Sequence, residues 1–168
     1  MTELVVDPVR RQRLAFSQHG DVLHAEVFAD PGGDVPSHYH PAQEERFEVL
    51  AGRVRFVVDG RRIEGAPGMR VIAPAGAKHA FRNVGDDEAH LHVEVEPALQ
   101  LQGFLEEAAA LARARRYTRH GLPTRPGAIA ELADLMVRYS GTTVMAFPPP
   151  VIQRALLAPL ARLHRTRA

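Results

Sequence analysis

The stretch "SHYHPAQEERFEVLAG", residues 37–52, carries the strongest indication of fold and function in the chain. It places two histidines one residue apart, then a short turn sequence, a pair of glutamates and an apolar alternation that ends in glycine. Because side chains on a strand alternate between its two faces, His38 and His40 are expected on the same side. The following strand would place Glu45 and Phe47 on one face. A carboxylate would thereby join two imidazoles beside apolar side chains.

Glu44 is the alternative to Glu45 as the residue that joins the histidines, because both lie close to His40 in the sequence. The alternation of side chains along the strand decides between the two glutamates. Glu45 shares a face with the apolar Phe47, whereas Glu44 shares one with the charged Arg46, which indicates a solvated face. The alternation therefore favours Glu45.

A fourth ligand is expected from "GMRVIAPAGAKHAFRN", residues 68–83. His79 follows a turn at Pro74 and Gly76 and shares strand parity with Phe81. Three histidines and one glutamate from separate strands would form a mixed nitrogen and oxygen site suited to iron, manganese, nickel, cobalt, copper or zinc. The chain contains no cysteine, so thiolate metal sites and disulfides are excluded.

Residues 14–96 read as short strands separated by turn signals such as "DPGGD", "VDGRR", "GAPG" and "VGDDE". The clearest hairpin is "RVRFVVDGRRIEG", in which an apolar alternation precedes a turn at Asp59 and Gly60. Many short strands in one small core predict a β-sandwich or a β-barrel.

The composition changes after Pro97, where three segments show helical periodicity. They are "LQGFLEEAAALARARR", the segment that contains Ile129, Met136 and Tyr139, and "VIQRALLAPLARLHRTR", which Pro159 is expected to kink or divide. We therefore predict a β-barrel domain over residues 1–97 and a helical extension over residues 98–168 that packs on the barrel or on a partner.

Charge is distributed unevenly along the 168 residues, although the net charge is only +1. Residues 135–168 hold five arginines and no acidic residue, so the tail is basic. A packing or dimerisation role for the tail is favoured over contact with a membrane surface, and binding to nucleic acid is not expected because no recognition motif is present. The N-terminal residues contain no apolar run typical of a secretory signal, so a cytoplasmic location is expected.

Two groups of residues together resemble the two conserved motifs of the cupin superfamily. The first motif is matched in residue type and spacing by Gly32, His38, His40, Glu45 and Gly52. The second is matched by Gly68, Pro74, Gly76, His79 and Asn83. The resemblance covers roughly residues 22–96, about half of the chain.

This resemblance implies an all-β fold, the cupin double-stranded β-helix or antiparallel jelly-roll barrel, followed here by an α-helical tail. It also implies a homodimer and a divalent transition metal held inside the barrel mouth by His38, His40, Glu45 and His79. Members that look like this chain include dioxygenases, isomerases, decarboxylases, polyketide cyclases and proteins that only bind, so the resemblance does not select one reaction.

An apolar pocket wall is expected from Phe47, Phe56 and Phe81, which would favour an aromatic or polyketide-like small molecule. Our hypothesis is a metal-dependent enzyme, either an oxygenase or a cyclase or isomerase that uses the metal as a Lewis acid. The alternative is a protein that binds or senses a small molecule without converting it.

"HLHVE", residues 90–94, repeats the spacing of His38 and His40 without a following glutamate, turn and glycine. The alternating apolar residues form the better core face, so His90 and His92 are interpreted as solvent-side or rim residues. A position of His92 in the cavity is the lesser alternative. His24 and Glu26 alternate with apolar residues in the same way and receive the same interpretation.

Overall fold

The computed structural model describes residues 4–165, which form eleven β-strands and three α-helices. The strands are β1 (Val5–Asp7), β2 (Gln12–His19), β3 (Val22–Ala29), β4 (Asp34–Tyr39), β5 (Glu44–Ala51), β6 (Val54–Val58), β7 (Arg61–Gly65), β8 (Arg70–Ala73), β9 (His79–Asn83), β10 (Ala89–Glu96) and β11 (Val144–Met145). The helices are α1 (Leu101–Arg113), α2 (Pro126–Arg138) and α3 (Pro150–Arg165).

The strands form two antiparallel sheets that enclose one apolar core. One sheet has the order β1-β2-β3-β10-β5-β8 and the other has the order β11-β4-β9-β6-β7. Both sheets contribute to the core, for example Leu23, Val49 and Leu91 from the first and Phe56 from the second. This arrangement confirms the predicted jelly-roll barrel.

Strict alternation of side chains builds the core face of the six-stranded sheet. In β3, Leu23, Ala25 and Val27 are buried while the residues between them are partly exposed. β10 shows the same pattern and pairs with β3 along its length. Because burial of one Val or Leu side chain stabilises the fold by about 1.5–3 kcal/mol, a shift of one residue in this register would be strongly unfavourable.

The turn between β6 and β7 is the hairpin expected from the sequence. Asp59 and Gly60 both adopt positive φ angles, 45° and 79° respectively. Two successive residues with positive φ are typical of a type I′ turn, whose twist matches that of the flanking strands.

The tail after residue 97 contributes a strand as well as helices to the structure. Between α2 and α3 lies β11, in which Val144 pairs with Tyr39 and Met145 pairs with His38 of β4. The sequence predicts only helices in this region, because two residues carry too little alternation to identify a strand. The tail therefore extends the five-stranded sheet next to His38.

The helices match the three periodic segments, with one difference in α3. Pro159 lies inside α3, which is a single helix, so this residue does not divide the segment, and a kink at Pro159 stays a prediction. Helix α1 packs Phe104 and Leu105 against the barrel core, and the rings of Phe104 and Tyr139 lie 5.7 Å apart, which connects α1 to the end of α2.

The helices described within residues 4–165 include none that has both the length and the apolar character needed to cross a membrane.

Gly52, the last residue of the stretch that opens the sequence analysis, occupies a position that admits no side chain. Its φ angle is +84°, and a Cβ atom at this position would lie 2.7 Å from Cα of Ala89. Gly60 has a similar φ angle of +79°, but a Cβ atom there would meet nothing within 4 Å. Alanine variants at the two glycines can therefore distinguish the cost of a positive φ angle from the cost of steric overlap.

We predict that Gly52→Ala lowers the free energy of unfolding by about 2–5 kcal/mol, the sum of about 1–2 kcal/mol for the left-handed backbone and about 1–3 kcal/mol for overpacking. The matched variant Gly60→Ala is expected to lose only the backbone contribution. Urea denaturation of both variants measures the difference. Equal losses in the two variants would contradict the steric argument.

Candidate metal centre

The four predicted ligand residues converge at one end of the barrel interior. His38 comes from β4, His40 follows that strand directly, Glu45 lies on β5 and His79 begins β9. One ligand atom from each residue lies within 4.8 Å of those of the other three. The three imidazoles are buried and the carboxylate is nearly so.

Each imidazole of this cluster is oriented by a hydrogen bond from its Nδ1 atom to a backbone carbonyl. The bonds run from His38 to Pro36 (2.9 Å), from His40 to Thr142 (2.8 Å) and from His79 to Ala77 (2.9 Å). Because a carbonyl oxygen only accepts, each Nδ1 carries the proton and each Nε2 keeps its lone pair. Histidines that bind metals through Nε2 are held in this way.

One of these orienting carbonyls belongs to the C-terminal tail. Thr142 lies just before β11 and is buried, and the hydroxyl of Thr143 lies 3.4 Å from the same Nδ1 atom of His40. The sequence analysis did not identify this contact, because a backbone carbonyl leaves no signature in residue type. The tail thus completes the support of the site.

The Glu45 carboxylate makes close approaches to two of the imidazoles. Its Oε2 atom lies 3.3 Å from Nε2 of His40 and 2.7 Å from Nε2 of His79. Despite this short distance, Nε2 of His79 is buried without a partner in hydrogen-bonding geometry among the described residues. A buried lone pair facing a carboxylate is unfavourable unless a proton or a cation lies between them. The donor set and this unsatisfied nitrogen therefore fit a bound metal ion.

Burial and the neighbouring charged groups shift the pKa values of the cluster in different directions. Burial, together with the neighbouring His79 and His40, lowers the pKa of His38 to about 3, so this imidazole is neutral at pH 7. Burial alone would raise the pKa of Glu45, but the close approach of the His40 and His79 imidazoles outweighs burial and holds the pKa below its usual value. Burial alone would lower the pKa of His79, and the Glu45 carboxylate raises it instead.

The structure also separates Glu44 from Glu45. The Oε1 atom of Glu44 accepts a hydrogen bond of 2.7 Å from Nε of Arg46, and both side chains are more than one-third exposed. Glu45 points to the opposite face, where it meets His40 and His79. Strand parity thus places the two carboxylates as the sequence analysis expects.

A cavity of about 350 Å³ extends from this cluster, and His38, His40 and Glu45 form part of its wall. Phe47 and Phe81 also line it. Phe56 is expected from the sequence in the same wall, but it does not line the cavity. It is 1% exposed and lies in the core, with its ring centroid 5.2 Å from that of Phe47, on a strand that is one position further from β4 and β11 than the strand of Phe81.

The C-terminal tail supplies much of the remaining cavity wall. The apolar residues that it contributes include Phe104, Leu105 and Ala108 of α1, Leu132, Leu135 and Met136 of α2, and Met145 of β11. The sequence analysis identified the apolar faces of these helices as packing surfaces, and their periodicity carries no signal that distinguishes a packed face from a cavity wall. The pocket therefore lies between barrel and tail.

We predict that Glu45→Gln weakens divalent metal binding by more than about 100-fold, because loss of a mere supporting partner of a ligand already costs about 10–100-fold. Glu44→Gln, one residue away, is expected to bind metal like the wild type. Metal content per chain and competition with a chelator measure the effect. A similar loss in both variants would contradict the assignment of Glu45.

Comparison with known protein families gives one model match, the cupin domain, over residues 25–95. This segment contains the four candidate ligand residues, β4 to β9, and most of β3 and β10. The match does not extend into the helical tail.

Two curated relatives come from Streptomyces. A protein named polyketide synthase CurC from Streptomyces cyaneus is 36% identical over 67 residues, which are 40% of this chain and 44% of the relative. Protein SchB from Streptomyces halstedii is also 36% identical over 67 residues, 40% of this chain and 49% of the relative. The chain thus matches less than half the length of either relative.

Among solved structures, an RmlC-like cupin from Shewanella frigidimarina NCIMB 400 superimposes with a TM-score of 0.55 at 17% identity. The match covers 60% of this chain and 88% of that chain. At this identity the comparison establishes the fold of the barrel alone.

Proposed function

The chain belongs to the cupin superfamily, and on this premise we propose that it is a metal-dependent enzyme that acts on a small, partly aromatic molecule of polyketide type. The observation that carries the proposal is the buried cluster of three imidazoles and one carboxylate at the end of an apolar cavity. The similarity to polyketide synthase CurC of Streptomyces cyaneus supports the polyketide class of substrate.

The metal is proposed to be held by His38, His40, Glu45 and His79. Iron, manganese, nickel, cobalt, copper and zinc all accept this donor set. A bound divalent ion would supply Lewis acidity toward a carbonyl or enolate oxygen, or, with iron, a site for dioxygen. The three backbone carbonyls keep the Nε2 lone pairs aimed at one point, so little reorganisation is needed on binding.

The cavity walls are proposed to position the substrate and to exclude water. Phe47 and Phe81 offer aromatic surfaces near the cluster, and their rings lie 6.1 Å apart in an edge-to-face arrangement. Apolar residues of α1 and α2 close the opposite side. A flat aromatic molecule with an oxygen substituent at one end fits this division between an apolar wall and a polar end.

The proposal is tested by incubating the metal-loaded protein with aromatic polyketides and with poly-β-ketone precursors generated in place, followed by mass spectrometry. A gain of oxygen indicates an oxygenase, a loss of water indicates a cyclisation with dehydration, and a new product of unchanged mass indicates an isomerase. Product formation that persists after metal removal would contradict the proposal.

We predict that Ala108→Phe lowers turnover by at least about tenfold while the metal content stays unchanged, because the new ring would fill part of the cavity. Ala110→Phe provides the matched control, since Ala110 lies on the same helix but is exposed. Rates and metal content of both variants are measured together. Equal rates in the two variants would argue against the cavity as the substrate site.

The alternative function is binding of such a molecule without conversion. It is favoured by the state of two ionisable groups in the cavity wall, Asp7 and Arg10. Oδ1 of Asp7 accepts hydrogen bonds from backbone N–H groups, and the Arg10 guanidinium donates to the carbonyl of Arg119. Arg10 and one oxygen atom of Asp7 are thereby engaged in contacts within the protein. Recovery of enriched but unaltered ligand in the same incubation would support binding.

We further propose a homodimer, since members of the superfamily often form oligomers. Light scattering coupled to size-exclusion chromatography determines the mass in solution, and a monomer at all concentrations would overturn it.

A further inference from the structure

The outer face of the six-stranded sheet carries a second group of ligand-type side chains. Strands β3 and β10 are neighbours, and their register pairs His24 with Glu94 and Glu26 with His92. The residues that alternate with them are buried in the core, so these four side chains point away from the barrel interior and are only partly exposed. They share no residue with the cluster inside the barrel.

Three ligand atoms of this group form a nearly equilateral triangle. Nδ1 of His24 lies 3.4 Å from Nε2 of His92 and 3.8 Å from Oε1 of Glu94. The remaining edge, between Nε2 of His92 and Oε1 of Glu94, is 3.7 Å. A tetrahedral zinc ion with bonds of about 2.0–2.1 Å separates its ligand atoms by about 3.3–3.4 Å. Small rotations of partly exposed side chains suffice to reach that spacing.

Glu26 orients one of the two imidazoles toward this triangle. Its Oε1 atom accepts a hydrogen bond of 2.7 Å from Nδ1 of His92, and its Oε2 atom accepts one of 2.6 Å from Nε2 of His90. With Nδ1 as the donor, Nε2 of His92 keeps a lone pair that faces His24 and Glu94. A carboxylate behind an imidazole is the arrangement that supports metal-binding histidines in proteins.

The other two members of the triangle are also held in place. The Oε2 atom of Glu94 lies 3.8 Å from the guanidinium of Arg46, which leaves Oε1 on the side of the histidines. The ring of His24 meets the ring of His19 edge-on, with centroids 5.2 Å apart. These contacts limit the rotamers of both residues without occupying the ligand atoms.

We propose that His24, His92 and Glu94 form a second metal site that binds Zn²⁺ or a similar divalent ion on the outer face of the barrel, with the fourth position open to solvent. Two imidazoles and one carboxylate are donors that zinc accepts, and three protein ligands with one open position is a common zinc arrangement. Glu26 is the positioning residue of this site. The proposal does not depend on the function of the barrel site.

The number of Zn²⁺ ions bound per chain tests the proposal. Calorimetric titration is carried out on the full chain, on His92→Ala, on His38→Ala to impair the barrel site, and on the double variant, each checked for folding by circular dichroism. We expect His92→Ala to remove one equivalent from the wild type and from the His38→Ala background. An unchanged stoichiometry in both would overturn the proposal, whatever the barrel site binds.

The matched control is His90→Ala, which removes a histidine of the same face and strand that lies outside the triangle. It is expected to leave the stoichiometry of Zn²⁺ unchanged. A loss equal to that of His92→Ala would show nonspecific binding by surface imidazoles and overturn the proposal. Glu26→Gln is expected to keep the equivalent and to weaken its affinity by about 10–100-fold.

Co²⁺ provides a readout of geometry in the His38→Ala background. Four-coordinate cobalt absorbs visible light much more strongly than six-coordinate cobalt, so a tetrahedral site gives intense bands. We expect these bands in the presence of His92 and their loss in the double variant. Weak bands that do not depend on His92 would overturn the assignment.

Discussion

The hydrogen bonds from three buried Nδ1 atoms to backbone carbonyls are the constraint on which the barrel site depends. A buried imidazole must have its polar atoms satisfied, and these bonds satisfy one nitrogen of each ring while leaving the other with a lone pair. The free Nε2 atoms then lie around a single carboxylate. Buried Nε2 lone pairs that face a carboxylate are unfavourable unless a proton or a cation lies between them, which supports the metal ion proposed for this cluster.

The same constraint explains why the C-terminal tail belongs to the site. The carbonyl groups that accept hydrogen bonds from His38 and His79 belong to residues two positions earlier in the chain. The carbonyl group that accepts from His40 belongs to Thr142. Strand β11 fixes the segment that contains Thr142 against β4. Helices α1 and α2 lead into that strand and cover the cavity on the way. Metal support and pocket shape are therefore coupled through one segment of chain.

Local periodicity accounts for part of what the sequence predicts of this molecule, whereas the jelly-roll fold and the four-residue ligand set rest on the resemblance to the cupin motifs. The parity of Glu44 and Glu45, the hairpin at Asp59 and Gly60 and the inward face of β3 all follow from alternation and turn chemistry within a few residues. Features that arise from packing between distant segments cannot be predicted from this local pattern. A backbone carbonyl at Thr142, a two-residue strand and the depth of Phe56 in the core have no local signature, because each depends on how separate elements meet.

The residues on the outer face of the six-stranded sheet show the same limit of prediction from local sequence. Alternation correctly assigns His24 and His92 to the side away from the core. The sequence of either strand taken alone indicates only a solvated surface at these residues. The ligand triangle exists because β3 and β10 pair in a particular register, which sets His24 against Glu94 and Glu26 against His92. That register is determined by the apolar residues on the inner face, since a shift would expose them. Core packing on one side of the sheet therefore places the ligands on the other.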